Sequence, residues 1–381
     1  MTFWRSSLAI LAISGAACST QPDTAANYRR FPTEVVGDSF FDLVDTRSVV
    51  PVGSGLLFGG RSDGLNWIDL AGATVVEVSR VGEGPTEYLE VSAVTPGRVP
   101  QEGIVVDRGA GRLLRVSMEG GAPTVQSQPS TILATGGFTL LAATAAGTFG
   151  VYDPPERDAD GIGHVVRVGM DGSGLDSIVP IASRTYLAAQ QASSSEVTSV
   201  FVAQPFAPDD LVAVTEAGEI LILDSRRAVV RTYSADGRLQ DSVLVAAQKQ
   251  IEVTEEDIAP AVERFGTFFS ESEIRAERYY PLFDSVRAGR GSSLLLATLG
   301  SPRSNSTTAL LLSSRPQVLG AIEFPPGSSV VGFAPPLVVV SHGNELGLNR
   351  VLTYCIRGLD MAPYVAAKSS AAKIVCAPGS S

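Results

Sequence analysis

The chain has 381 residues, 18% of them charged and 44% hydrophobic, with 29 basic against 40 acidic side chains and a net charge of −11. That balance describes a globular chain rather than a disordered one. It also speaks against nucleic acid as a partner, because no basic stripe interrupts the acidic character.

In chain order, residues 1–17 have the layout of a secretory signal peptide. Arg5 supplies the positive end, Leu8, Ala9, Ile10, Leu11, Ala12 and Ile13 the apolar run, and Ser14, Gly15, Ala16 and Ala17 the small-residue cleavage region. The apolar run is shorter than the roughly 20 residues needed to span a bilayer. The small residues ending at Cys18 resemble the lipobox of bacterial lipoproteins, although Gly15 stands where an aliphatic residue is usual. The resemblance implies cleavage before Cys18, lipidation of its thiol and anchoring by several acyl chains, since one chain alone binds membranes marginally. The alternative is an ordinary signal peptide with an incidental cysteine. Ser19 after the cysteine favours the outer membrane of the cell envelope by analogy with enterobacterial sorting. Residues 18–30 read as the lipidated cysteine and a polar tether, residues 31–358 as the folded body and residues 359–381 as a tail. With Cys18 assigned, Cys355 and Cys376 remain as an even pair in an oxidising compartment. A disulfide between them is expected, two free thiols being the alternative.

The body consists of short apolar runs broken by Gly, Pro, Asp and Ser. Among them are Gly55–Gly59 (GLLFG), Thr74–Val78 (TVVEV), Gly103–Val106 (GIVV), Arg112–Val116 (RLLRV), Glu219–Leu223 (EILIL), Leu294–Ala297 (LLLA) and Leu337–Val340 (LVVV). Each has strand length and β-forming composition. Asp-Gly and related turns punctuate them, as in GIVVDRGAGRLLRVSMEGG over Gly103–Gly121, which is a hairpin signal. Many short strands with turn signals indicate a sandwich, a barrel or a propeller. A strand–turn–strand–turn unit that recurs, at an irregular spacing of about 40–75 residues against about 40–50 in regular propeller repeats, decides for the propeller. One segment, Thr254–Arg278, is predicted to be a helical insertion. Thr254 and Ser270 serve as N-caps, Ser270 with Glu273 forms a capping box, and Pro260 is expected to kink or shorten the first helix.

Val81–Tyr88 (VGEGPTEY) resembles the G-x-G-P-G-E-[FY] signature of bacterial 6-bladed β-propeller lipoproteins, whose relatives carry NHL-like blades. Gly82, Gly84, Pro85, Glu87 and Tyr88 match, and Thr86 replaces the usual Gly. The run from Phe283 to Arg357 is also similar to the end of such proteins, with Asn344, Glu345, Leu346 and Gly347 in the last turn. The resemblance implies an all-β, six-bladed propeller of four-stranded antiparallel blades. Read from its residues alone, the Gly82–Tyr88 loop is a structural turn: two glycines and a proline set its backbone, and Glu83 and Glu87 are placed to accept its N–H groups.

Catalytic patterns are sparse. The two histidines, His164 and His342, have no partner at metal-ligand spacing. There is no G-x-S-x-G elbow and no phosphate loop. No cofactor is expected. Calcium is the cation best matched by the sequence, through Asp63, Asp153, Asp158 and Asp160, although DPPERDAD over Asp153–Asp160 reads first as a solvated acidic loop. Two functions follow from different classes. One is a non-catalytic scaffold that binds a small molecule or protein. The other is a lactonase-like or lyase-like enzyme with a metal in the central channel. Inward-facing carboxylates would favour the enzyme, and small or apolar channel residues the scaffold.

Overall fold

The computed structural model describes residues 28–364 apart from short stretches, the longest being 154–161. Cys18, Asp63, Asp158, Asp160, Asn344–Gly347 and Cys376 therefore lie outside the described residues.

Strand β1 (Thr33–Phe40) is followed by four consecutive antiparallel strands, β2 (Thr46–Val52), β3 (Gly55–Gly60), β4 (Leu65–Asp69) and β5 (Val75–Ser79), which form the first blade. The second blade is β6 (Val91–Pro96), β7 (Glu102–Asp107), β8 (Arg112–Glu119) and β9 (Ala122–Pro129). The third is β10 (Phe138–Thr144), β11 (Gly147–Tyr152), β12 (Ile162–Val168) and β13 (Leu175–Ala182). A separate hairpin, β14 (Tyr186–Ala192) and β15 (Val197–Ala203), precedes the fourth blade, β16 (Asp210–Val214), β17 (Ile220–Asp224), β18 (Val229–Tyr233) and β19 (Leu239–Leu244). Helices α1 (Glu255–Phe265) and α2 (Glu271–Ile274) separate it from the fifth blade, β20 (Phe283–Ala288), β21 (Leu294–Leu299), β22 (Thr307–Ser313) and β23 (Val318–Phe324). In the sixth, β24 (Ser328–Ala334), β25 (Leu337–Gly343) and β26 (Asn349–Ile356) are completed by β1, in the order β1-β26-β25-β24.

The first strand of each blade is innermost. β2, β6, β10, β16, β20 and β24 neighbour one another in turn, and β24 returns to β2, so the six blades close a ring. The chain is a six-bladed β-propeller, and no blade keeps both lateral faces in water.

The core follows from that geometry. Each pair of adjacent blades encloses its own apolar layer. β21 (LLLATL) shows why the sequence runs are continuous rather than alternating. Leu295, Ala297 and Leu299 pack towards the fourth blade, and Leu294 and Leu296 towards the sixth. A strand buried on both faces needs apolar residues at every position. The outermost strands have one solvated face or edge and are correspondingly polar, as in β19 (LQDSVL).

The helical insertion is present and joins the β14–β15 hairpin in a small cap with its own core. Ile258, Phe269 and Ile274 pack against Leu187 and Val202 of the hairpin. Both expected caps form. The Thr254 N–H and hydroxyl donate to Asp257 Oδ2 at 2.7 Å each. The Ser270 N–H donates to Glu273 Oε2 at 2.7 Å, and the Glu273 N–H donates back to Ser270 Oγ at 3.3 Å. The Ser270 hydroxyl, which donates to Glu273 Oε2 at 2.6 Å, and then the Ser270 N–H hold the Glu273 carboxyl below its ordinary pKa. Pro260 lies inside α1, which runs on to Phe265. It lies in the helix's second turn, and the hydrogen bond it forgoes would have gone to the carbonyl of Glu256, which is exposed and reachable by water.

Candidate functional site

Because strands alternate in direction, all inter-blade connections leave on one face of the disc. The cap is built from two of them and therefore sits on that face. The turns from each innermost strand to the second strand lie on the opposite face.

The axial channel between the six innermost strands has a volume of about 270 Å³. All six strands contribute apolar groups to it, represented by Val50 of β2, Val94 of β6, Leu140 of β10, Val212 of β16, Val286 of β20 and Val331 of β24. The fifth blade also contributes Arg287. Among the described residues no carboxylate lines the channel, and no group of three or more His, Cys, Asp or Glu side chains is placed to hold a metal ion.

One end of the channel is crossed by a side chain. Arg290 follows β20, and its Nη2 donates to the carbonyls of Val99 and, at 2.8 Å, Glu102. Those acceptors belong to the second blade, which stands opposite the fifth in the ring. The Arg290 backbone N–H donates to the Phe333 carbonyl of the sixth blade at 3.1 Å. Its Nε lies 4.0 Å from Glu216 Oε1 in the fourth blade. Arg290 is only 5% exposed. Burial draws its pKa down to about 10 against the opposing pull of Glu216 and Glu102.

On the capped face lies a larger cleft of about 610 Å³, between the stem of the cap and the fifth and sixth blades. Phe206 and Tyr280 form one wall as an edge-to-face pair, with ring centroids 4.7 Å apart. Phe206 holds a left-handed backbone at φ 61°, a conformation that costs about 1–3 kcal/mol in a non-glycine residue and is over-represented at binding sites. Asp284, at the start of β20, is exposed at the rim. Gln204 and Thr298 also line the cleft, and their Nε2 and Oγ1 atoms are buried with no hydrogen-bond partner among the described residues. Volume, an aromatic wall and a few polar groups together describe a small-molecule cleft.

The residues singled out in the sequence are not gathered at either site. The Gly82–Tyr88 loop joins the first and second blades and closes on itself. The Gly82 N–H donates to the Tyr88 carbonyl at 2.9 Å, and the Gly84 N–H donates to Glu87 Oε2 at 2.8 Å. Arg80 Nε donates to Glu87 Oε1 at 2.9 Å. The Gly84 N–H first, and Arg80 second, hold the Glu87 carboxyl below its ordinary pKa. A Cβ on Gly82 would fall 2.1 Å from Glu87 Oε2, so any other residue there would displace the Glu87 carboxylate. Tyr88 is fully buried between the two blades. Glu83 is exposed and does not repeat the role of Glu87.

His164 shares a hydrogen bond with Ser177 Oγ at 2.9 Å in the third blade, and His342 one with Ser328 Oγ at 3.5 Å in the sixth. Cys355 is buried on β26. What sequence reasoning missed is Arg287, Arg290 and the cleft residues. They are far apart in the chain, and only ring closure and the cap bring them to their sites.

No protein-family model and no curated protein sequence matches the chain. Solved structures do resemble it. Virginiamycin B lyase from Staphylococcus aureus is 10% identical, over 86% of this chain and 99% of its own, with a TM-score of 0.42. A gluconolactonase from Xanthomonas campestris is 12% identical, over 85% and 90%, with a TM-score of 0.43. The β-propeller domain of Cps50 (Swd1) from Myceliophteria thermophila is 12% identical, over 85% and 100%, with a TM-score of 0.41. At such identities the likeness is one of fold, and fold does not carry function.

Proposed function

We propose that this chain is an envelope-anchored lipoprotein of the NHL-like propeller kind, whose disc binds a ligand on its capped face without transforming it. The observation that carries this reading is the contrast between the two openings. The channel, where a metal-dependent propeller hydrolase needs converging carboxylates, presents a mainly apolar lining with two threonines and one arginine among the described residues. The capped cleft instead offers an aromatic wall, a rim carboxylate and buried polar atoms. Lipidation at Cys18, an outer-membrane address and a Cys355–Cys376 disulfide belong to the same proposal. No nucleic acid and no cofactor enters it. Calcium at the Asp153–Asp160 segment would be a structural addition.

Two measurements test it. Purified protein and its Asp284→Ala variant are titrated calorimetrically with a panel of sugars, amino acids and short peptides, and assayed for turnover of lactones and esters. Saturable binding of a panel member, weakened roughly tenfold or more by Asp284→Ala, with no turnover, is the expected result. Hydrolysis of a lactone or ester by the purified protein would overturn the non-catalytic reading. For the anchor, Cys18→Ala is expected to move the protein from the membrane to the soluble fraction, and unchanged membrane association would remove that part of the proposal.

A further inference from the structure

The closed end of the axial channel carries a second inference, which does not depend on the capped cleft. Arg287 is the fifth residue of β20, and Thr95 is the fifth residue of β6 in the opposite blade, so the two stand at one level of the channel. Arg287 is accessible from the lumen yet surrounded by protein. That desolvation lowers its pKa, with Asp284 partly opposing. Its one hydrogen bond among the described residues runs from Nη1 to the carbonyl of its own neighbour Val286, at 3.1 Å, which leaves most of its five donors for something else. Thr95 is 6% exposed, and its Oγ1 has no hydrogen-bond partner among the described residues. The turn beyond Arg287 brings in Arg290, whose Nε and Nη1 likewise lack a hydrogen-bond partner there. Glu216 lies 4.0 Å from Arg290, and the nearby Glu102 is already held bidentately by Arg115 at 2.9 and 3.0 Å. Arg287 and the Thr95 hydroxyl, without a partner among the described residues, thus line a largely apolar shaft whose end Arg290 crosses.

We propose that the arginine-floored end of the axial channel binds the carboxylate head of a small aliphatic acid, with Arg287 and Thr95 gripping the head and the apolar strands enclosing the tail. A carboxylate matches the planar fork of arginine, and charge-assisted bonds of this kind are about twice as strong as neutral ones. A bare inorganic anion would satisfy the floor and leave the apolar walls against water. A neutral hydrocarbon would fill the shaft and leave the Arg287 guanidinium unmet. The volume of about 270 Å³ sets the size. At roughly 30 Å³ for a water-sized group, it accommodates about nine heavy atoms, the size of a six- or seven-carbon acid.

The test uses the full protein with sodium hexanoate as the probe, and hexan-1-ol and sodium sulfate as controls, followed by calorimetry and thermal unfolding. Hexanoate is expected to bind saturably and raise the melting temperature, and each control to bind at least tenfold more weakly. Arg287→Met is the informative variant, because Arg287 makes no hydrogen bond between blades among the described residues. It should fold, and it should weaken hexanoate at least tenfold. Thr95→Val should weaken it several-fold, and this variant with the hexanol contrast decides the matter if Arg287→Met does not fold. Equal binding of hexanol and hexanoate, undiminished binding in Arg287→Met, or no hexanoate binding at tens of millimolar would each overturn the proposal. The capped-cleft reading would be untouched by any of these results, since its Asp284→Ala variant leaves Arg287 and Thr95 in place.

Discussion

Replacing Asp107 with Ala is expected to destabilise the protein by about 3–5 kcal/mol, the range for removing one partner of a buried ion pair. Asp107 is fully buried at the end of β7. Its Oδ1 accepts the N–H groups of Leu89 at 3.1 Å, Glu90 at 2.9 Å and Ala110 at 3.3 Å. Its Oδ2 accepts from Arg112 Nε at 3.0 Å. Arg112, 12% exposed, donates in turn from Nη2 to the Glu87 carbonyl at 2.7 Å. One carboxylate therefore ties the inter-blade loop at residues 80–90 to the turn of the neighbouring hairpin. The substitution strands three backbone donors and a guanidinium together, and each buried unpaired group carries its own desolvation cost. Urea unfolding of wild type and variant measures the loss. Adding Arg112→Met to Asp107→Ala should recover part of it, because the uncompensated cation is then gone. A loss below about 1 kcal/mol would mean that the loop is held by Glu87 and Gly84 alone.

Deleting residues 29–40 is expected to abolish the cooperative transition. β1 pairs with β26 along its length, from Thr33 opposite Ile356 to Phe40 opposite Arg350. Glu34 receives Arg357 Nε at 2.9 Å. Phe31, 5% exposed, wedges into the apolar layer between the fifth and sixth blades, with its N–H on the Ala321 carbonyl at 2.9 Å. Without this segment the sixth blade keeps three strands and exposes the whole edge of β26, a template for pairing with other chains. Size-exclusion chromatography and circular dichroism melting should show association and a broad, non-cooperative loss of β signal. A monomer with an unchanged transition would mean that three strands suffice to close the ring.

Legibility in the sequence follows burial. Runs such as Gly103–Val106, Glu219–Leu223 and Leu294–Ala297 announce themselves because both faces of those strands are covered. β9 (APTVQSQP) and β19 (LQDSVL) lie at blade rims and lose the apolar signal with their contacts. β14 (YLAAQQA) is poor in β-branched residues and becomes a strand because β15 and the cap helices receive it. The irregular spacing of the repeats has the same source. The innermost strands begin at Thr46, Val91, Phe138, Asp210, Phe283 and Ser328, and the two wide intervals are those that house the hairpin and the helices. The signature loop was legible because glycine and proline encode backbone shape locally. The channel arginines were not, since nothing in AGRG or SVRA tells which side chain will meet the axis once six blades have closed.

The pairing of β1 with β26 also has a consequence in time. Glu34 and Arg357 are 323 positions apart in the chain. The strand synthesised before every blade must remain unclaimed until the sixth blade has been made. Contacts of such long sequence separation are slow to form, because the loop entropy is lost before any contact rewards it. The early blades can assemble in order behind it, but the disc is not locked until its oldest strand meets its youngest. The ring is therefore fastened last, by the pairing of its first strand with its final one.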